Sequence, residues 1–493
     1  MDYKTPTKLY KFHQGPARFF LDLGDGSERG EYVNQDYILH TLGRTHRAIS
    51  LMYCYYPNDE GWPLRVRDAF KDRVVKFQWD YPYEDYFPYQ GGLKGDLNKE
   101  PFNQMRDIRR HGQDVILTMT IDPNLDDEQL RSIGRDLKSF GRMELRINHE
   151  ATGDWFAFTK RASYADIAKF FVRASKLIKE EAPNVKTVAC IGGIEDLNST
   201  EIVMEKEFKC TIPEADIWSV DKYLALHWGW PYDVAEKGGN SFARYAISDV
   251  YEKTKRSFYR YKELNGGVAK PMVMSELNAD GDVTGPYDQC KMIEEFVKRV
   301  KEDEDEWFSG FTFYQFRDRG RLGLEIEDPN NSEVGIRQPL MDAYIKLLND
   351  KDFLPKVKRV KTLKSENGKF EKPVKLRYGA SNDCEGIAME FKLEKNPEFF
   401  ELYFDEENVN DNILIEINGS MIYKAPGVKC VDLMEAFFKK PLKKGKNVTM
   451  RMVYPPASGE NDLKVKDGLL NTYTKVAKLP SVRIEYLPIV EKA

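Results

Sequence analysis

Short apolar runs alternate with helical segments along most of this chain, and this alternation constrains the fold more than any other feature of the sequence. The apolar runs have the length of buried strands, and charged, helix-type segments separate them. Strands are predicted at 47–53, 74–80, 114–120, the first half of 144–156, 185–190, 215–223, 271–276 and 310–316. Helices are predicted near 63–71, 100–111, 164–181, 242–265, 288–301 and 338–348.

Eight strands that alternate with helices over about 300 residues are the count and length of a (β/α)8 barrel. An open, doubly wound parallel sheet is the alternative, and it would usually carry a glycine-rich phosphate turn after its first strand. Tyr53-Cys54-Tyr55-Tyr56-Pro57 stands at that position instead. The sequence therefore predicts an α/β fold, a TIM barrel, over residues 46–350.

The two ends of the chain depart from this pattern. Residues 1–45 contain a strand that meets a Gly/Asp turn at 19–26, which predicts a strand or hairpin extension packed on the barrel. The lysine-rich stretch 351–364 has the composition of a linker. Beyond it, short alternating runs separated by Asn, Gly and Pro turns predict a C-terminal antiparallel β-sandwich, so that 351–493 forms a second domain and a candidate carbohydrate-binding module.

Composition excludes several classes of function. The net charge of -5 comes from many residues of both signs, which argues against a nucleic-acid partner. No apolar run approaches the ~20 residues that span a bilayer, and no apolar signal-peptide region opens the chain. We therefore expect no membrane partner and a cytoplasmic location, or a secreted one if a leader has been removed. The oligomeric state stays open.

Cysteine and histidine usage argues against a metal site or another cofactor. The six cysteines are scattered without a C-x-x-C pair, which favours free thiols in a reducing compartment. The six histidines include no H-x-H or H-E-x-x-H pattern, so a metal-dependent barrel enzyme is not favoured.

The stretch 144–156 carries an unusually polar strand face. Leu145 and Ile147 fall on one face, and Arg146, Asn148 and Glu150 fall on the other. Burying such a polar face is costly unless its groups are used. This stretch is therefore the first candidate for a functional site.

Two glutamates end predicted barrel strands. Glu150 follows strand four and Glu276 ends strand seven, and active residues of (β/α)8 barrels lie at the carboxyl ends of strands. Strands four and seven face each other across a barrel, so the two side chains can meet. Retaining glycosidases need two carboxyl groups ~5–5.5 Å apart, one as acid/base and one as nucleophile.

These residues resemble a known family. The pattern Arg146-x-x-His149-Glu150-x-x-Gly153-x-Trp155-Phe156 is similar to the strand-four signature of glycoside hydrolase family 26, which belongs to clan A of the retaining (β/α)8 glycosidases. Lys270-Pro271-x-x-x-Ser275-Glu276 resembles the strand-seven nucleophile motif of that family. The resemblance covers the two catalytic strands and the general plan of the barrel, and it does not extend to the C-terminal region.

The resemblance implies a role for each matching residue. Glu150 would be the general acid/base and Glu276 the nucleophile. His149 would hydrogen-bond near the nucleophile, Trp155 would line the subsite next to the cleaved bond, and Tyr223 would donate a hydrogen bond to Glu276.

Two positions depart from the family. Tyr314 stands where strand eight of the family usually offers a Trp under the reacting sugar, and Asn148 is not typical of the mannanase signature. These departures leave the sugar open.

Further candidates for substrate binding rest on residue type and place. Arg146 lies on the polar face of strand four. His227 and Trp228 could form a subsite wall, with core packing as the alternative, and Asp80 could bind sugar hydroxyls. Arg317, Arg319 and Arg321 could recognise an anionic sugar, although an ion-paired loop is favoured, and Asp221 with Lys222 is interpreted as structural.

The sequence therefore predicts a retaining glycoside hydrolase that acts on β-glycosidic bonds of an oligosaccharide or polysaccharide, of β-mannan or β-glucan type by resemblance, without a cofactor. One alternative is a non-catalytic carbohydrate-binding protein on a glycosidase scaffold. The other is a clan A hydrolase of xylo-, galacto- or anionic glycans.

Overall fold

The computed structural model describes residues 3–25, 32–59, 86–153, 156–192, 206–228, 241–318, 320–378, 384–442, 446–455 and 473–487, with the backbone alone at 227–228, 241–242 and 378. Two bodies of secondary structure share this chain, a parallel barrel with helices and an antiparallel β-sandwich. This architecture confirms the predicted fold class. None of the described helices combines the length and apolar character needed to cross a membrane.

Eight parallel strands form the barrel, and we number them one to eight from the N terminus. Strand one pairs both with strand eight, at Phe20↔Gly310, and with strand two, at Leu23↔Ile49, so the sheet closes on itself. The strands are Phe20–Gly24, Ala48–Tyr55, Asp114–Ile121, Met143–Ile147, Val185–Cys190, Ile217–Asp221, Met272–Leu277 and Gly310–Phe313.

Strand one corrects the sequence prediction at the N terminus. The stretch 19–26 was expected to lie outside the barrel, whereas Phe20–Gly24 is a barrel strand. Ala48–Tyr55, expected as strand one, is strand two and pairs directly with Asp114–Ile121. The predicted strand 74–80 and helix 63–71 lie outside the described residues. Strands four and seven keep their predicted numbers.

Helices and short strands connect the barrel strands. The helices are Gln35–Leu42, Phe102–Arg110, Asp127–Leu137, Tyr164–Glu181, Thr211–Glu214, Ile247–Leu264, Gly281–Thr284, Pro286–Glu302 and Leu340–Leu348, with 3-10 turns at Lys138–Phe140 and Ala157–Lys160. The short strands are Phe87–Pro88, Ala225–Trp228, Ser241–Arg244, Arg317–Asp318, Glu325–Glu327 and Gly335–Arg337. The helix predicted at 242–265 therefore begins later, because its first residues pair as a strand with Ala225–Trp228.

Local sequence explains why the long helix after strand four forms. The side chain of Ser163 accepts a hydrogen bond from the backbone N–H of Asp166 and caps the first turn of Tyr164–Glu181. Buried residues recur every three or four positions along this helix, so one face packs on the barrel. The barrel core lies between the strands and this ring of helices.

The sandwich has one large sheet and one small sheet. The large sheet runs in the order Lys356–Thr362, Lys8–Gly15, Cys384–Lys392, Asn447–Val453, Ile413–Ile417 and Ser420–Lys424, and Ser365–Glu366, Lys369–Tyr378 and Tyr473–Lys478 pair beside it. The small sheet contains Cys430–Asp432, Phe399–Tyr403 and Ser481–Glu485, and a short helix spans Glu435–Lys439. Apolar residues of both sheets form a second core between them.

Two chain segments tie the sandwich to the barrel. Lys8–Gly15 is a strand of the sandwich, although it directly precedes barrel strand one. The stretch predicted as a linker contains the strand Lys356–Thr362, which pairs with Lys8–Gly15. A Cβ atom at Gly112 would lie 2.5 Å from Leu414 Cδ1, so the bare glycine backbone lets the sandwich approach the N-terminal end of the barrel closely.

Candidate active site

Arg146 occupies the centre of the barrel at its carboxyl end. The strand alternation that buries Leu145 and Ile147 in the outer core turns Arg146 inward, where its side chain is 1% exposed. Its Nη1 donates to Asp221 Oδ2 at 2.7 Å and its Nη2 to Glu276 Oε1 at 2.6 Å. Burial alone would lower the pKa of Arg146, but the two carboxylates outweigh it and hold the pKa well above its usual range.

Glu276 ends strand seven and is held from two sides. Besides the bond from Arg146, Tyr223 Oη donates to Glu276 Oε2 at 2.7 Å. His149 Nε2 lies 3.8 Å from Glu276 Oε1. Each carboxylate oxygen therefore has one donor, which fixes its orientation and leaves further lone pairs for a reacting atom.

Glu150 follows strand four in a strained turn. Strand four ends at Ile147, and both Asn148 (φ 48°) and Glu150 (φ 50°) adopt the left-handed conformation on either side of His149. Such residues cost about 1–3 kcal/mol each and cluster at functional sites. The turn brings a Glu150 carboxylate oxygen within 4.8 Å of oxygens of both Asp221 and Glu276.

Asp221 is a member of this cluster that sequence reasoning interpreted as structural. It ends strand six, and its side chain is 1% exposed. Burial raises its pKa to about 7, the charge of Arg146 opposes this rise, and the charge of Glu276 adds to it. The signal that could have identified Asp221 is its place as an inward-facing acid at the end of a strand.

Three carboxylates in one place form an oxygen-rich group of the kind that can hold a metal ion. Here the guanidinium of Arg146 already binds one oxygen of Asp221 and one of Glu276. Two of the three acids, Asp221 and Glu276, therefore already face a cation of the chain itself.

His149 is enclosed by aromatic rings. Its Nε2 lies 3.3 Å from Tyr86 Oη, and the ring of Phe156 packs 4.6 Å from its own, centroid to centroid. Burial, and then the nearby charge of Arg146, hold the pKa of His149 well below its usual value. The imidazole is therefore neutral. Sequence reasoning did not single out Tyr86, because the contact joins residues 63 positions apart.

The rings of Tyr223 and Tyr314 contact each other beside Glu276. Their ring centroids lie 6.0 Å apart with the planes nearly perpendicular. Tyr314 is buried, and its carbonyl accepts a hydrogen bond from Asn278 Nδ2 at 2.6 Å. The structure thus brings two of the predicted binding residues, from the ends of strands six and eight, next to the predicted nucleophile.

Asn148 is engaged within the protein. Its Oδ1 accepts from the backbone N–H of Ile121 at 2.6 Å, and its Nδ2 donates to the Ile121 carbonyl at 3.1 Å. These bonds clamp the ends of strands three and four together. The amide that was a candidate for substrate binding is used here to hold the turn before Glu150.

The remaining candidates divide into two groups. Asp80, Trp155 and Arg319 lie outside the described residues, as do the side chains of His227 and Trp228, whose backbone forms the end of a short strand. Arg317 donates to Glu325 Oε2 at 2.9 Å, and Arg321 Nη1 donates to Gln338 Oε1 at 2.7 Å. These two arginines are therefore engaged with groups of the chain itself, and Arg317 is buried, whereas the sequence predicted a solvated ion-paired loop.

Comparison with known proteins gives likenesses in structure alone. No protein-family model matches the chain, and no curated protein matches it. A glycoside hydrolase family 26 β-mannanase from Bacteroides ovatus is 11% identical, with a TM-score of 0.40, covering 68% of this chain and 89% of that one. A family 39 glycoside hydrolase from Bacteroides cellulosilyticus is 11% identical, with a TM-score of 0.42, and the match covers 89% of this chain and 81% of that one. A glucosidase from Croceicoccus marinus is 8% identical, with a TM-score of 0.44, and the match covers 91% of this chain and 97% of that one. At these values the likenesses carry no argument about chemistry.

Proposed function

We propose that this chain is a retaining glycoside hydrolase that cleaves β-glycosidic bonds through a covalent glycosyl-enzyme intermediate. The observation that supports it is the separation of at most 4.8 Å between carboxylate oxygens of Glu150 and Glu276, across the carboxyl end of the barrel. Retaining enzymes place their carboxyl groups ~5–5.5 Å apart, whereas inverting enzymes keep them ~6.5–9.5 Å apart to admit a water.

The reaction proceeds in two displacements. In the first, a Glu276 oxygen attacks the anomeric carbon while Glu150 donates its proton to the glycosidic oxygen, and the leaving sugar departs with that proton. In the second, Glu150 takes a proton from water, the water oxygen attacks the anomeric carbon, and the bond to Glu276 breaks. Both glutamates return to their starting states, and the anomeric configuration is retained.

The contacts around the two acids favour this assignment of roles. Arg146 and Tyr223 donate to Glu276, and such donors stabilise a carboxylate that must act as a nucleophile. Because these donors are preorganised, they also accept the returning negative charge when the intermediate breaks down.

The substrate that we propose is an oligosaccharide or polysaccharide of β-mannan or β-glucan type. Tyr223 is partly exposed beside the nucleophile, and aromatic rings pack well on the apolar faces of pyranose sugars. The engagement of Arg317 and Arg321 within the chain gives no support to an anionic sugar.

The test distinguishes the roles of the two glutamates by using substrates with different leaving groups. We expect Glu276→Ala to abolish turnover of every substrate. Glu150→Ala should lose about 10²–10⁴-fold on unactivated oligosaccharides, because they need protonation, and much less on dinitrophenyl β-glycosides, whose leaving group does not.

The measurement is kcat/KM on a panel of aryl β-glycosides and β-oligosaccharides, with Glu333→Ala, an exposed loop residue after strand eight, as the matched control. Near-normal activity of Glu276→Ala would rule out its role as nucleophile. Equal loss on all substrates for Glu150→Ala would rule out its role as acid.

A further inference from the structure

His149 lies between two oxygen atoms that compete for the same ring nitrogen. Its Nε2 is 3.3 Å from Tyr86 Oη and 3.8 Å from Glu276 Oε1. Its Nδ1 is buried and has no hydrogen-bond partner among the described residues. Since the ring is neutral, it carries one proton, and the surroundings decide which nitrogen holds it.

The surroundings favour the proton on Nε2. A buried N–H without an acceptor is rarer in proteins than a buried acceptor without a donor, so the isolated Nδ1 is better left bare. A proton on Nε2 faces two oxygens, that of Tyr86 within hydrogen-bond distance and that of Glu276 just beyond it. With the proton on Nδ1, the lone pair of Nε2 would instead face the Glu276 carboxylate.

Tyr86 is held firmly in its place. The two-residue strand Phe87–Pro88 pairs with Tyr53 and Cys54 at the carboxyl end of barrel strand two, and Cys54 Sγ donates to the Tyr86 carbonyl at 3.4 Å. The ring centroids of Tyr86 and His149 lie 6.0 Å apart at an interplanar angle of 28°, and the residue Tyr86 is 3% exposed. The hydroxyl is therefore presented to His149 by the barrel scaffold.

We propose that Tyr86 is a positioning residue. Its hydroxyl oxygen accepts a hydrogen bond from His149 Nε2–H, which adds to the preference for this tautomer and holds the ring plane of His149, so that a positive N–H edge faces the Glu276 nucleophile. This inference rests on the proposed function for its effect on the reaction. The tautomer itself depends on the geometry alone.

The barrel contains a matched pair at its opposite end. His46 Nε2 lies 2.8 Å from Tyr344 Oη, with ring centroids 5.9 Å apart at 25°, and His46 Nδ1 also has no partner among the described residues. This pair precedes strand two, at the end of the barrel away from Glu276. Tyr344→Phe therefore removes the same kind of contact from a buried His–Tyr pair without touching the site.

The first test reads the tautomer by ¹⁵N NMR of the full chain labelled at histidine, with the His149 signals assigned from His149→Gln. We expect the wild-type chain to show a protonated Nε2 and a bare Nδ1 at His149, and Tyr86→Phe to shift the Nε2 resonance, because its hydrogen bond to the tyrosine oxygen is lost, while the His46 signals are unchanged. A wild-type Nδ1–H tautomer would overturn the inference, and so would a Tyr86→Phe spectrum identical to wild type.

The second test measures kcat and KM on dinitrophenyl β-glycosides. Tyr86→Phe should lower kcat about three- to tenfold, the rate equivalent of one neutral hydrogen bond, with KM within about twofold of wild type. Tyr344→Phe should keep the wild-type kcat. Equal loss in both variants would show a general effect of stability and overturn the positioning role. If the tautomer is as expected and no glycoside is turned over by the wild type, the proposed function fails while the His149–Tyr86 geometry holds.

Discussion

At the scale of single residues, Asp221 has a raised pKa that follows from its burial and from the charges around it. The carboxylates of Asp221 and Glu276 share the guanidinium of Arg146, and an oxygen of Glu150 lies within 4.8 Å of oxygens of both. The excess of negative charge adds to burial in raising the pKa of Asp221 to about 7. The folded chain therefore holds a proton there at pH values where the unfolded chain has released it.

This proton makes stability depend on pH in a defined direction. Between about pH 4 and pH 7 the native state binds more protons at Asp221 than the unfolded state does, so the contribution to stability is lost as the pH rises through this window. Asp221→Asn should reduce this pH-dependent loss of unfolding free energy by an amount on the order of 1 kcal/mol per pH unit. Urea unfolding of both chains at several pH values measures the difference, and parallel pH profiles of the two would contradict the shift.

At the scale of elements, the turn after strand four positions Glu150. Asn148 has two tasks in this turn, because it adopts a left-handed conformation and its amide binds Ile121 of strand three. Asparagine tolerates that conformation better than most residues. Strands three and four are thus joined at the point where the chain leaves the barrel wall.

Substitutions at Asn148 should separate the two tasks. Asn148→Gly keeps the conformation and leaves the Ile121 backbone groups without their side-chain partner, which should cost about 2–3 kcal/mol of unfolding free energy. Asn148→Ala should cost about 1 kcal/mol more, because alanine resists the left-handed conformation. The measurement is urea unfolding.

The control for this pair is Asn367→Ala, because Asn367 is also left-handed (φ 50°) but exposed. Asn367→Ala should lose only the unfolding free energy that comes from placing alanine in a left-handed conformation. If Asn148→Ala and Asn367→Ala are equally destabilised, the amide clamp contributes nothing.

At the scale of the whole molecule, an ion pair joins the barrel and the sandwich, with its arginine buried and its glutamate half-buried. Arg44, which precedes barrel strand two, donates from Nη2 to Glu416 Oε1 of the sandwich at 2.9 Å, and Arg44 is 7% exposed. Burial alone would raise the pKa of Glu416, but Arg44 and Arg451 outweigh it and lower the pKa. The contact joins the amino end of the barrel, away from Glu150 and Glu276, to the large sheet.

A double-mutant cycle should show that this contact couples the two bodies. Arg44→Met and Glu416→Gln should each cost about 1–3 kcal/mol: the first leaves Glu416 with Arg451 alone, and the second replaces the charged acceptor of Arg44 by a neutral amide. The double variant should lose less than the sum by about 1–3 kcal/mol. Because the lowered pKa makes this contribution present at neutral pH and lost in acid, the effect of Arg44→Met should shrink as the pH falls. Additive losses in urea unfolding would show that the pair does not couple.

The sequence by itself determined the features that depend on local pattern. Alternation of apolar runs and helices determined the barrel class, and strands such as Val185–Cys190 and helices such as Tyr164–Glu181 match their predicted bounds. In the C-terminal region, the spacing of Asn, Gly and Pro turns between alternating runs determined the prediction of a β-sandwich. The inward face of Arg146 followed from the period of two in a strand.

Only the tertiary structure decided what depends on residues far apart in the chain. A short run such as Phe20–Gly24 does not reveal its neighbours, so its place between strands two and eight had to be observed. For the same reason the pairing of Asp221 with Arg146 and the contact of Tyr86 with His149 were not predicted. Strand pattern shows which face a side chain takes, whereas closure of the sheet decides which side chains meet there.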